Sequence, residues 1–456
     1  MTLEVDLALV EKYGKPGPRY TSYPTAPHFD DAVGRDELTR QLEKSNADAS
    51  HPLSLYLHLP FCEKLCWFCG CNMIVTKDTS KQSGYLDHLF REIDVARTHL
   101  NADRPVVQQH FGGGTPTYGS PDDLRRIGEK LHASFRYAEG AEISSEMDPR
   151  NLTHDHIKAL REIGCNRASL GVQDHDPRVQ KAIHRIQPRQ LVIDAVDWIR
   201  TEGFDSINID LIYGLPFQSA DSFAATLQDV LEIRPNRLAV FNYAHVPWMK
   251  AHQKLIREED LPTGPERLRM LKSIIETLTA GGYVYVGMDH FALEGDELLT
   301  AQREKTLRRN FQGYSTKAGA EIQAFGMSAI SQLDRMYSQN IKEVDAYYEK
   351  VSAGELPIQR GYVLTDDDVV RRELIMTLMC DMELDFAEVG SRTGVDIPTY
   401  FEGELARLGT FVEDGLLEQN ASGLKVTEPG RLFVRNIAMT FDAHLGDASE
   451  RYSKTV

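Results

Sequence analysis

No apolar run in the 456-residue chain approaches the length needed to span a bilayer, so no membrane segment is expected. The opening residues, MTLEVDLALVEKYGK, carry acids early and lack a small-residue cleavage site. No secretory signal is read there, and a cytoplasmic protein is expected. Basic residues are in short supply: 51 Lys and Arg face 68 Asp and Glu, a formal net charge of −17. That balance argues against nucleic-acid binding, which needs a basic surface. Cysteine is scarce too. Six residues, four of them from Cys62 to Cys71, do not make a disulfide framework; they point to a reducing compartment and a metal. Neither a phosphate-binding G-x4-G-K-S/T loop nor a G-x-G-x-x-G fingerprint is present. Internal repeats and low-complexity tracts are absent. What remains, 41% hydrophobic and 26% charged, is ordinary for a soluble globular chain long enough for two or three domains.

The chain is organised around residues 53–75, LSLYLHLPFCEKLCWFCGCNMIV. An apolar strand ends at Pro60 and delivers a loop of thiols, Cys62, Cys66, Cys69 and Cys71, the first three spaced C-x3-C-x2-C. Before it, residues 1–50 form an arm whose middle, YGKPGPRYTSYPTAP, has no periodicity. The arm reads as irregular but ordered, or as a flexible tail. Its tyrosines favour order, because disordered segments avoid aromatics. From 53 to 290, β-rich runs alternate with helical ones. The candidate strands are LSLYLHL, VVQQHFGG, AEISSEM, NRASLGV, SINIDLIYG, RLAVFNY and YVYVGMDHF. Several helical segments between them open on Ser, Thr or Asp caps. Such alternation means parallel strands joined by crossovers. The number of repeats suits an α/β fold built as a partial or full (β/α) barrel over 51–362, with the thiol loop on its C-terminal rim. Residues 300–360 are mixed and finish or cap this domain. The stretch 363–456 reads as a small, mostly helical, winged-helix-like domain. Its acids outnumber its bases in 401–456, so DNA binding is not expected there. Cys165 and Cys380 lie in apolar settings and read as buried, inert thiols.

Four close thiolates can hold zinc or an iron–sulfur cluster. Structural zinc sites pair two knuckles across a longer insert, and no second knuckle follows here. Three ligands fit a [4Fe–4S] cluster that keeps one iron open to a small molecule. The run Gly112–Gly114 ends the second strand and lets backbone approach a ligand, or makes a plain turn. Glu146, Gln173, Arg185 and Asp210 stand at or just beyond later strand ends, where barrel enzymes gather their sites.

The C-x3-C-x2-C loop after a first barrel strand resembles the radical S-adenosylmethionine (SAM) enzymes. The wider set PRYTSYPTA, HLPFCEKLCWFCGCN, HFGGGTPTY, GVQD, NIDLIYGLP, FNYAH, GMDHFA and NFQGYST is similar, essentially end to end, to the oxygen-independent coproporphyrinogen III oxidase family. That resemblance implies oxidative decarboxylation of coproporphyrinogen III to protoporphyrinogen IX in haem biosynthesis. It implies that Cys62, Cys66 and Cys69 bind the cluster. Tyr56, Phe68, Gly112, Glu146 and Ile330 match contacts to the cluster-bound SAM. Gly113, Gly114, Gln173, Arg185, Asp210 and Ala244 match a second SAM site. Cys71 matches a catalytic or site-shaping position that does not ligate iron. A flavodoxin-type electron donor and a monomer are expected. Arg19, Arg308 and Arg309 are candidates to counter the substrate's propionates, and Tyr20 and Tyr23 to cover the pocket. Two rivals are weighed. One is a related haem chaperone, which typically lacks the arm and the fourth cysteine. The other is a zinc-dependent DNA-binding regulator, which the charge disfavours.

Overall fold

The computed structural model describes residues 5–101, 103–446, 452 and 455. The first four residues of the expected arm, and most of 447–456 in the expected C-terminal domain, lie outside the described residues. The chain packs as two compact units. A sheet unit comprises Phe29–Thr263 and Gly319–Val363. A terminal unit comprises the chain up to His28, Gly264–Ala318, and the chain from Leu364 onward.

The sheet unit is built on ten strands: β1 (Leu53–Leu59), β2 (Pro105–Gly113), β3 (Arg136–Met147), β4 (Arg167–Gln173), β5 (Ser206–Tyr213), β6 (Arg237–Asn242), β7 (Glu321–Phe325), β8 (Ile330–Leu333), β9 (Met336–Asn340) and β10 (Ile358–Val363). Their spatial order is β10-β9-β8-β7-β1-β2-β3-β4-β5-β6. From β7 to β6 every neighbour is parallel. The three strands beyond β7 form an antiparallel meander. This row is open, so the partial form of the expected barrel is the one realised. β1 reads as a nearly continuous apolar run because both faces of a parallel sheet are covered: all its residues but Tyr56 are buried. The crossovers carry helices whose starts match the expected caps. Capping boxes at Ser120, Thr153 and Ser219 begin Pro121–Ser134, His154–Glu162 and Ala220–Ile233. Leu124, Ile127 and Leu131 form the buried stripe of the first of these.

The structure adds detail to two expectations about strands. YVYVGMDHF forms two strands of the twelve-stranded sheet rather than one, the antiparallel hairpin Tyr283–Gly287 with His290–Leu293. Its turn passes through Gly287 and Met288, both at positive φ. The parallel strand beside β1 on the side away from β2 is β7, from the mixed segment expected to finish this domain. EIQAF hides its nature because two of its five buried residues are polar. Glu321 is tolerated there because buried Arg104 pairs with it at 2.7 Å.

The joint between β1 and the turn after β7 is held by a buried carboxylate. Glu92 accepts from the Gly326 N–H (2.7 Å), the Asn340 amide (2.7 Å) and the Tyr347 hydroxyl (2.6 Å). Tyr85 donates to the His58 carbonyl and accepts from the Met327 N–H, both at 2.9 Å. Burial pushes the Glu92 carboxyl up from 4.5 to about 7. A carboxyl raised on folding favours the native state while protonated, so its contribution is complete below the unfolded value. Stability is therefore expected to fall as pH rises from about 4.5 to about 7, by up to about 3 kcal/mol. Glu92→Gln should flatten that slope in urea titrations run across the window.

In the terminal unit the helix Asp366–Asp381 leads to a small sheet of Glu383–Asp385, Gly423–Val426 and Leu417–Asn420, and then to the helix Val434–Met439. Up to His28 the described part of the arm belongs to this unit. Tyr20 and Tyr23 are fully buried with Leu374, Leu378, Ile437 and Phe441. Arg435 Nε donates to the Pro18 carbonyl (3.0 Å) and Asn436 Nδ2 to that of Tyr13 (2.8 Å). Among the described residues, no helix is long and apolar enough to cross a membrane.

Candidate active site

Pro60 ends β1, and the chain then makes a closed excursion. Phe61–Cys62 pairs with Ile74–Val75, and the N–H groups of Ile74 and Thr76 donate to the carbonyls of Pro60 and Cys62. The glycine run abuts this closure. The Gly114 N–H donates to the Leu59 carbonyl (2.8 Å) and that of Thr115 to Phe61 (2.9 Å). A Cβ on Gly114 would stand 2.4 Å from the Pro60 oxygen, and one on Gly112 3.0 Å from the Tyr56 ring. The close approach that these glycines permit is thus, in the first place, to the chain itself.

Polar groups distant in sequence fasten the loop. His184 Nδ1 donates to the Leu65 carbonyl at 2.7 Å, and its ring stacks on Trp67. Gln253 Nε2 donates to the Phe68 carbonyl (2.9 Å), His252 Nε2 to Cys69 (2.7 Å) and Lys250 Nζ to Cys71 (3.0 Å). The thiols differ in setting. Cys62 lies 3.3 Å from Thr115 Oγ1, and burial pushes it up to about 12. Buried Cys66 lies 3.3 Å from Arg150 Nη2 and 3.5 Å from Arg185 Nη1. Hydrogen bonding from Cys71 holds the Cys69 thiol below its usual range, and the same contact raises Cys71. Burial opposes ionisation of Asp148, but Arg185 and Arg150 outweigh it and hold that carboxyl at about 2.

Beside the loop, alternate residues near the strand ends make one polar face, because side chains two apart on a strand share a side. Tyr56 is level with His110 and Ser144, Glu146 with Ser169, and Gly171 with Asp210. The Tyr56 and His110 rings stack 6.0 Å apart. His110 Nε2 lies 3.4 Å from Glu146 Oε1. Asn208 donates to Asp210 at 2.7 Å. Burial, with Glu146 nearby, pushes the Asp210 carboxyl up to about 7. Gln173 sits at φ 70° with its buried Oε1 lacking a partner. Arg185 Nη2 donates to the Gly171 carbonyl at 2.6 Å.

Of the residues expected to act, the structure brings Tyr56, Glu146, Asp210 and Cys71 into one electrostatic neighbourhood. Phe68 packs on the apolar cluster of Val179, Ile183 and Leu215. Ala244 is exposed just past β6, and Ile330 opens β8 half-buried. Cys165 and Cys380 are buried, as expected. Arg19 and Arg309 meet in the terminal unit, where Arg19 pairs with Asp289 and Arg309 donates to the Arg19 carbonyl. Arg308 turns to the carbonyls of Lys305 and Leu307. Sequence reasoning missed His58, His110, Asp148, Arg150, Lys250 and His252. The strand-end argument that selected Glu146 reaches Asp148 and Arg150 if carried two and four residues on. Nothing in periodicity marks Lys250 or His252.

Residues 56–230 match the Radical SAM superfamily, and 364–433 the HemN C-terminal domain. The chain is 43% identical to the oxygen-independent coproporphyrinogen III oxidase of Pseudomonas aeruginosa, covering 100% of this chain and 99% of that one. It is 45% identical to the Escherichia coli protein of that name, covering 97% and 96%. The solved E. coli coproporphyrinogen III oxidase, described as a radical SAM enzyme, superimposes with a TM-score of 0.92 at 42% identity, covering 98% of this chain and 100% of that one. The chain belongs to the oxygen-independent coproporphyrinogen III oxidase family. Its cofactors are those of the radical SAM superfamily, a [4Fe–4S] cluster and SAM.

The site fits such a cluster. In this oxidase-family chain, one loop presents Cys62, Cys66 and Cys69 close enough to perturb one another. Arg150, Arg185, Lys250 and His252 surround that loop with donors and positive charge. Among the described residues, no three His, Cys, Asp or Glu side chains are set around a single ion. A cluster spreads its thiolates over separate irons and does not need that arrangement.

Proposed function

We infer that this protein catalyses the oxygen-independent oxidative decarboxylation of coproporphyrinogen III, turning the ring A and B propionates into vinyls and giving protoporphyrinogen IX. The observation that carries this is the full-length relation to enzymes of that name, at 40–46% identity. The arm and Cys71, both typically lacking in related haem chaperones, favour the enzyme over the chaperone.

When bound, cluster and SAM together would supply a carbon radical able to take hydrogen from a propionate β-carbon, a step beyond acid–base side chains, with carbon dioxide and one electron, passed to an acceptor, lost as each vinyl forms. The chain's own residues prepare that step. Cys62, Cys66 and Cys69 hold the cluster, and the closed excursion between Phe61 and Val75 sets their spacing. Tyr56, Phe68, Gly112, Glu146 and Ile330 line the cluster-bound SAM. Gly113, Gly114, Gln173, Arg185, Asp210 and Ala244 line a second SAM. Support comes from their chemistry: Arg185 suits a carboxylate, Asp210 suits a ribose or an ammonium, and the Gln173 Oε1 is buried and unpartnered. Cys71 shapes the site through its hydrogen bond to Cys69. Arg309, with a buried Nη1 lacking a hydrogen-bond partner, is the one of the three arginines with a donor left for a propionate. A flavodoxin-type donor, a monomeric state and a cytoplasmic location complete the reading. So does the functional division into arm (1–50), catalytic barrel (51–362) and C-terminal domain (363–456).

The test is anaerobic reconstitution with iron, sulfide, SAM, a low-potential reductant and coproporphyrinogen III. Divinyl product and carbon dioxide, with 5′-deoxyadenosine released, are expected. Haem binding without decarboxylation would sink the reading in favour of the chaperone.

A further inference from the structure

Arg150 has no part in the reading above, yet no other side chain comes closer to the Cys66 sulfur among the described hydrogen bonds. β3 ends at Met147, and Asp148, Pro149 and Arg150 follow it directly. Arg150 Nη2 lies 3.3 Å from Cys66 Sγ. Its Nε and Nη2 grip the Asp148 carboxylate at 3.0 and 2.6 Å, and its backbone N–H donates to the same group at 3.0 Å. Arg185, from the segment after β4, meets the same two partners: Asp148 at 3.0 Å and Cys66 at 3.5 Å. The side chains of Arg150, Asp148 and Arg185 are only 9%, 13% and 7% exposed.

The charges do not balance. Two guanidiniums share one carboxylate, and the remaining positive charge has the Cys66 sulfur as its neighbour. Two N–H groups, Arg150 Nη1 and Arg185 Nε, are buried without a partner. A buried, incompletely paired guanidinium is costly unless negative charge completes it. Arg185 already gives Nη2 to the Gly171 carbonyl. Apart from Asp148, Arg150 has only Cys66 among the described side-chain partners.

We propose that Arg150 tunes the cluster: it donates to the Cys66 thiolate and raises the cluster's reduction potential, with Asp148 holding it in position. This rests on the proposed role of Cys66 as a ligand. One electron from the flavodoxin-type donor adds a negative charge at the cluster, and no bond forms or breaks at Arg150. An N–H bond to a ligand sulfur and an adjacent cation both favour the more negative, reduced form. Arg150 is thus a positioning residue for the electron that opens the reaction, not a group that touches substrate.

The experiment is an anaerobic, dye-mediated redox titration of the reconstituted full chain, followed by electron paramagnetic resonance of the reduced cluster, on wild type, Arg150→Gln and Arg150→Lys. At the wild-type midpoint, Arg150→Gln is expected to lower the reduced-to-oxidised ratio about tenfold, a shift of about 59 mV to more negative potential for one electron. Arg150→Lys keeps the charge but loses the fork, so a shift of about threefold is expected. A wild-type midpoint in Arg150→Gln overturns the proposal. Should that variant hold no cluster, a wild-type midpoint in Arg150→Lys overturns it instead. Absence of a cluster from the wild-type protein would defeat the functional reading itself, so the two failures are distinct.

Discussion

Cys66→Ala will strip the reconstituted protein of its cluster and lower reductive SAM cleavage by at least roughly 10⁶-fold, the low end of enzymic rate enhancements. The size of the effect follows from the chemistry. Homolysis of a sulfonium needs an electron delivered at low potential, and no acid, base or nucleophile in the site can replace it. Cys66 also sits where the surplus cation of the Arg150–Asp148–Arg185 group is placed, so alanine leaves that charge buried without its thiolate. Iron and sulfide analysis should fall from about four irons per chain, and 5′-deoxyadenosine release under dithionite should vanish. Cys71→Ala is the contrast. It removes a hydrogen bond to Cys69 but no proposed ligand, so about four irons should remain. A Cys66→Ala protein that keeps its iron and still cleaves SAM would defeat the three-thiolate assignment.

Tyr23→Ala is expected to destabilise the terminal unit by about 3–5 kcal/mol, the range for truncating a large buried aromatic. Tyr23 is fully buried among the side chains of Asp366–Asp381 and Val434–Met439, and its hydroxyl accepts from the Ala443 N–H at 3.0 Å. Tyr20 is equally buried, and its hydroxyl donates to Asp442 at 2.9 Å. The expectation that these tyrosines act as a cover for the pocket is therefore replaced: they are core. Deleting residues 1–30 would remove both, and would be expected to unfold the terminal unit rather than switch off decarboxylation cleanly. Urea denaturation followed by far-ultraviolet dichroism would measure the loss, because Trp67, Trp198 and Trp248 all lie in the sheet unit. A Tyr23→Ala midpoint equal to wild type would return the arm to the role of a dispensable cover.

The thiol loop, its place after the first strand, the strand–helix alternation and the buried character of Cys165 and Cys380 were all legible in the sequence. Each is a local matter: spacing along a loop, apolar period along a strand, a cap three residues from its partner. Composition alone was enough to disfavour nucleic-acid binding. The tertiary structure decided everything that depends on register between distant segments. β7 could not be recognised from EIQAF, because Glu321 is acceptable in a sheet only once Arg104, more than two hundred residues earlier, lies against it. The arm could not be assigned to a core whose other half is made by residues 370–441. Lys250, His252 and His184 clasp the cysteine loop through its carbonyls, which carry no trace of their partners in sequence. Arg150 and Arg185 meet at Cys66 only because β3 and β4 lie side by side and release their next residues at one sheet end. Local spacing records what a segment can do; parallel pairing of strands far apart in the chain determines which segments do it together.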